Sequence, residues 1–116
     1  MTCLRIAAIL AALMLSAPLH AAEPLTGRWA TDASACAGHF FSAGPSPLVV
    51  TSYAVRWQGE SCRIGRRYKA GETFYMEAFC WGAAGERSIP VSLRPQGQRL
   101  SLTWDRTART ELKRCQ

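Results

Sequence analysis

Cys62 and Cys80 stand nine residues to either side of Gly71, at the ends of the stretch "CRIGRRYKAGETFYMEAFC". A glycine between two runs of alternating apolar and polar residues marks a hairpin turn. A turn centred there sets Cys62 opposite Cys80, Ile64 opposite Ala78 and Tyr68 opposite Phe74. Directly opposed residues of antiparallel strands hold their Cβ atoms about 4.5 to 5.5 Å apart, a gap that modest adjustment closes to disulfide geometry. The spacing therefore predicts a Cys62–Cys80 bond, and with it a register for the middle of the chain.

That register propagates. From Leu48 onward apolar residues recur with period 2: Val49, Thr51, Tyr53, Val55 and Trp57 in a strand over 48–57, then Cys62, Ile64 and Tyr68, then Phe74, Met76, Ala78 and Cys80. Ile89, Val91 and Leu93, and then Leu100, Leu102 and Trp104, continue the pattern. A turn at "QGES" places Trp57 opposite Cys62 and Val55 opposite Ile64; "GAAG" places Ala78 opposite Ile89; "PQGQ" places Val91 opposite Leu102. Every hairpin keeps the same apolar face, as a sheet with one buried side requires. The prediction is an all-β antiparallel meander curled into a small barrel of about six or seven strands. It includes a short strand near Gly27–Ala30, a helical turn capped by Thr31 or Asp32, and a last strand from about Arg109 to Lys113. Two residues resist this scheme. Arg66 falls on the inward face and Pro90 lacks a ladder donor, so a bulge or an open barrel mouth is expected near them.

The first residues place Arg5 before an apolar run from Ile6 to Leu15 and end in small residues, the layout of a secretory signal peptide over residues 1–21, cleaved after Ala21 or Ala22. The run falls short of the roughly 20 apolar residues that span a bilayer, so no transmembrane anchor is expected. Residues 22–116 then form a single small domain with four cysteines, Cys36, Cys62, Cys80 and Cys115. An even number in an exported chain implies two disulfides, and exclusion pairs Cys36 with Cys115. The expected location is periplasmic or secreted. With Arg5 removed, 13 lysines and arginines face 8 acids, a balance of +5 that favours anionic partners.

Few chemistries survive inspection. There is no CxxC or HxxxH for zinc or redox work, so no metal and no cofactor are expected. His39 is the sole histidine after the signal segment, no GxSxG elbow occurs, and the acidic residues are scattered among turns and strands. The reading is that this is not an enzyme.

One surface stands out. With the cysteines inward, the opposite face of the central hairpin carries Arg63, Arg67, Lys69, Tyr75, Glu77, Phe79 and Trp81, with Arg63 opposite Phe79 and Arg67 opposite Tyr75. Arginine over an aromatic ring is a cation–π pair, and small barrels use such faces to hold single strands or sugar rings. A self-stabilising outer face is the simpler explanation. A ligand site at Arg63, Arg67, Tyr75 and Phe79 is the functional one. Export argues against nucleic acid, leaving an anionic envelope component or a protein partner.

"LTGRWATD", Leu25 to Asp32, followed by a meander, resembles the Gly-x-Trp signature of lipocalin-like, or calycin, barrels. That resemblance implies a barrel-closing role for Trp29. Length and an early Gly-x-Trp also resemble the small secreted bacterial inhibitors of metalloproteases, although those do not carry four cysteines. The pattern of Trp29, Cys36, "ESCRI", "EAFC" and a terminal "RC" resembles small uncharacterised secreted bacterial proteins. Two functions follow as expectations: an exported non-enzymatic binding module using the basic aromatic face, or a periplasmic protease inhibitor that uses the segment before Trp29.

Overall fold

A computed structural model describes residues 24–38, 44–83 and 85–116. The expected signal segment and His39 lie outside the described residues. The alternating stretches become eight strands: β1 (Gly27–Ala30), β2 (Leu48–Val50), β3 (Ala54–Trp57), β4 (Glu60–Ala70), β5 (Thr73–Gly82), β6 (Gly85–Gln96), β7 (Arg99–Trp104) and β8 (Thr110–Arg114). Each pairs antiparallel with the next, and β8 returns to β1 through Trp29 opposite Arg114 and Ala30 opposite Lys113. The sheet is thus a closed barrel with no unpaired edge. One short helix, α1 (Ala33–Cys36), follows β1 and is capped by Asp32, whose side chain accepts from the Ala35 N–H at 3.0 Å.

Both disulfides are those expected: Cys62 faces Cys80 across β4 and β5, and Cys36 joins Cys115 over a separation of 79 residues. The first ties two strands already paired. The second fixes α1 to the end of β8.

The inside of the barrel is filled by side chains, with Trp29, Leu48, Val55, Leu93, Leu100 and Leu112 among those at or near zero exposure. Outward positions carry Arg63, Glu77, Ser88, Ser92 and Thr103. An apolar interior under a polar exterior reverses the arrangement of a membrane-spanning barrel. Among the described residues no helix is long and apolar enough to cross a membrane.

Trp29 is fully buried, and its surroundings explain the Gly-x-Trp pattern. The Arg114 guanidinium lies 4.1 Å from the Trp29 ring centroid and donates to the carbonyls of Pro24 and Thr26, each at 2.9 Å. A Cβ on Gly27 would stand 2.7 Å from Arg114 Nη1, and Gly27 has φ +140. Only glycine gives both the space and the backbone angle. Trp29 Nε1 donates to the Leu25 carbonyl at 3.0 Å, so the segment before β1 is held against the barrel floor.

Four expectations need correction. The predicted strand over 48–57 is a hairpin: the chain reverses at Thr51–Tyr53, where the Thr51 hydroxyl accepts from the Ala54 N–H at 3.0 Å. This turn raises the strand count to eight and inverts the first half of the alternation. Leu48 and Val50 point inward in place of Val49, and Tyr53 is 70% exposed. The turn after β3 contains only Gln58 and Gly59, both with positive φ, so Val55 faces Cys62 and Trp57 faces Glu60. The β6–β7 turn is also tighter than expected, pairing Leu93 with Leu102 and Val91 with Trp104. Both shifts are by two residues, which leaves the apolar face unchanged.

The fourth correction touches the candidate surface. Between Ile64 and Arg67 the register slips, so that Gly65 and Arg66 oppose Glu77 alone. This is a β-bulge. Beyond it every side chain of β4 changes face: Tyr68 lies opposite Tyr75 rather than Phe74, Arg67 opposite Met76 rather than Tyr75, and Lys69 opposite Phe74. Arg66, expected inward, is exposed.

Candidate ligand-binding face

The outer face of β4 to β7 is built from two aromatic clusters separated by the bulge. On the Cys62 side of it, Phe79 packs on Gly65 and carries the Arg63 guanidinium 5.4 Å from its centroid. Trp81, 53% exposed, extends this cluster, and a hollow of about 510 Å³ opens between Arg63, Phe79, Trp81, Glu86 and Ser88. Beyond the bulge, Tyr68 and Tyr75 stack with centroids 5.3 Å apart and an interplanar angle of 17°. A second groove of about 360 Å³ runs alongside them, lined by Arg66, Tyr75, Pro90, Ser92, Thr103 and Arg106.

Of the four residues expected to form the site, Arg63 and Phe79 meet as predicted. Tyr75 is exposed but belongs to the second cluster, where its stacking partner is Tyr68. Arg67 leaves the face altogether. It turns to the barrel-facing side, with its guanidinium 5.8 Å from the Phe74 centroid, beside Lys69 at 5.2 Å from the same ring. Tyr68, Arg66, Pro90 and Arg106 were missed. The signal available for the first two was Gly65, since an isolated glycine within a strand pattern marks a bulge, and a bulge there inverts the parity of everything up to Gly71.

Arg106 reaches the groove from the β7–β8 turn. Asp105 and Arg106 both have positive φ, 50° and 60°, and the Thr107 N–H donates to the Trp104 carbonyl at 3.0 Å across the turn. Asn and Gly usually occupy such a turn, and an arginine in the left-handed region is uncommon. The turn is held from two sides: Asp105 N–H donates to the Pro90 carbonyl at 2.9 Å, and its carboxylate accepts from Arg87 Nη1 at 2.6 Å. Arg87 also donates to Glu60, linking the start of β4, β6 and the β7–β8 turn at one end of the barrel. These carboxylates, Glu60 first, hold Arg87 even more firmly protonated than usual.

Arg87, Arg94, Arg109 and Arg114 are engaged by carboxylates or carbonyls. No ion pair is found among the described residues for Arg63, Arg66, Lys69, Arg99, Arg106 or Lys113; of these, Arg63, Arg66 and Arg106 border the two hollows. The acidic residues are mostly taken up: Glu72 by Arg94, Glu111 by Arg109 and Ser101, Glu77 by Ser88 at 3.0 Å.

Glu60, Cys62 and Cys80 bring potential ligand atoms within 4.8 Å of one another, but both sulfurs are consumed by the disulfide. Disulfide sulfurs are not thiolate ligands, so of this group a single carboxylate remains.

No protein-family model, curated protein or solved structure matches this chain.

Proposed function

We propose that the chain is an exported, non-enzymatic binding module that holds an anionic component of the bacterial envelope on the outer face of β4 to β7. The observation that carries this reading is the exposure of four large aromatics, Tyr68 57%, Tyr75 38%, Phe79 38% and Trp81 53%, on one face that also bears unpaired arginines. Stability accounts for part of this arrangement, since each exposed cross-strand pair contributes about 0.2 to 1 kcal/mol. It does not account for two hollows bordered by three of the cations that lack carboxylate partners. Two disulfides fit an oxidising compartment outside the cytoplasm.

The alternative, a protease inhibitor acting through the segment before Trp29, meets an obstacle. Leu25 is fully buried, and Pro24 and Thr26 are bonded to Arg114, so Pro24–Thr26 cannot enter an active site without leaving the barrel floor.

Co-sedimentation with purified lipopolysaccharide and with an acidic capsular polysaccharide tests the binding reading. Arg63→Ala combined with Arg66→Ala should abolish retention while leaving the thermal midpoint in place. Retention that persists in a less stable double variant would assign these arginines to stability alone.

A further inference from the structure

Resting on that reading, we infer that the groove between Arg66 and Arg106 is a site for a carboxylated sugar ring, a uronic-acid residue of an acidic polysaccharide. The donor and acceptor set is mixed in a way that suits this ligand better than a simple anion. Arg66 and Arg106 line the groove from different elements, the β4 bulge and the β7–β8 turn, and neither has an ion-pair partner among the described residues. Guanidinium groups match carboxylates in charge and in planar geometry.

Between them lie the Tyr75 ring and Pro90, apolar surfaces of the kind on which a pyranose rests its C–H face. The Ser92 and Thr103 hydroxyls stand beside the ring as donors or acceptors. Glu77 also lines the groove, where its carboxylate accepts from Ser88. A carboxylate in the lining repels a plain anion but accepts from ligand hydroxyls. The combined demand is therefore for a molecule with one carboxylate, several hydroxyl donors and a flat apolar face. The volume of about 360 Å³ accommodates one or two sugar rings.

The other hollow lacks this balance. Its arginine, Arg63, is already stacked on Phe79, and its remaining cation, Arg87, is held by Glu60 and Asp105. The bulge decides the difference, because with continuous pairing Tyr68 and Arg66 would both face the interior.

The test is an amide-resolved NMR titration of the mature, disulfide-intact protein with trigalacturonic acid, using its methyl ester and tetraglutamate as comparisons. The acid should bind with a dissociation constant on the order of 0.1 to 1 mM and shift the amides of Tyr75, Ser92, Thr103 and Arg106. The methyl ester should bind about tenfold more weakly or worse, as one lost charge-assisted contact implies. Arg66→Gln, Tyr75→Ala and Arg106→Gly should each weaken binding by about tenfold; the last places glycine where φ is 60°, so its fold is secure.

Absence of shifts at about 10 mM acid, or equal binding of tetraglutamate, overturns the sugar assignment. Shifts confined to Arg63, Phe79 and Trp81 overturn the choice of groove. If polysaccharide co-sedimentation persists in either case, the wider binding reading stands without this site; if that is lost too, both fall.

Discussion

The Phe79 ring lies on the backbone of Gly65, so closely that a Cβ built on Gly65 would stand 2.4 Å from Phe79 Cε2. The bulge glycine thereby seats the ring that carries Arg63, and the same bulge turns Tyr68 outward to meet Tyr75. Gly65→Ala should displace Phe79 and cost about 1 to 3 kcal/mol in chemical denaturation. In a Phe79→Ala background the same substitution should cost almost nothing. An unchanged cost in that background would show that the backbone, and not the ring, demands glycine.

Arg114 closes the barrel floor by stacking on Trp29 while bonding the carbonyls of Pro24 and Thr26. Lysine can keep the charge but not the planar stack with two parallel donors. Arg114→Lys should therefore lose about 1 to 2 kcal/mol by urea unfolding. Gly27→Ala should be destabilising by a comparable route, because its Cβ meets Arg114 Nη1 at 2.7 Å.

The two disulfides close loops of different length, and chain-entropy estimates give about 3 kcal/mol for Cys62–Cys80 and about 4.5 for Cys36–Cys115. Replacing Cys36 and Cys115 with serine should lower stability more than replacing Cys62 and Cys80. Unfolding free energies of the two double variants, each taken from its own midpoint and m-value, make the comparison; the reverse order would mean that the longer loop retains structure when unfolded.

Asp32 caps α1, and its carboxyl is held below its ordinary value of 3.8 by the Ser34 hydroxyl first and the Ala35 N–H second. A carboxyl depressed on folding contributes stability that is fully present above its unfolded value and is lost as pH falls through the folded one. The wild-type thermal midpoint should thus decline below about pH 4 with a contribution that Asp32→Asn, a neutral cap, removes. Identical acid limbs for the two proteins would assign the decline to other carboxyls.

The register of Cys62 to Ile64 against Ala78 to Cys80 was legible from the cysteine spacing and the apolar alternation, whereas the turn spans Gly71 and Glu72 instead of centring on Gly71, so from Arg67 to Ala70 the pairing is displaced by one. The "GAAG" register was also legible, with Ala78 facing Ile89 and Met76 facing Val91 as expected. Turn lengths were less so. A shift of two residues preserves every apolar face, so Trp57 opposite Glu60 and Trp57 opposite Cys62 satisfy the alternation equally well. The turn at Thr51–Tyr53 contains no glycine or proline, and a hydroxyl bonded to the backbone took the place of either.

Sequence alone determined the all-β class, the antiparallel order and both disulfides, because period-2 alternation and cysteine spacing act locally or through one hairpin at a time. Tertiary structure decided which side chains share the outer face. The bulge at Gly65–Arg66 sets Tyr68 opposite Tyr75, exposes Arg66 and removes Arg67, while the Asp105 bond to the Pro90 carbonyl holds the β7–β8 turn, with Arg106, at the same groove. Parity is exact only while pairing is continuous, so one extra residue in β4 reassigns every contact beyond it.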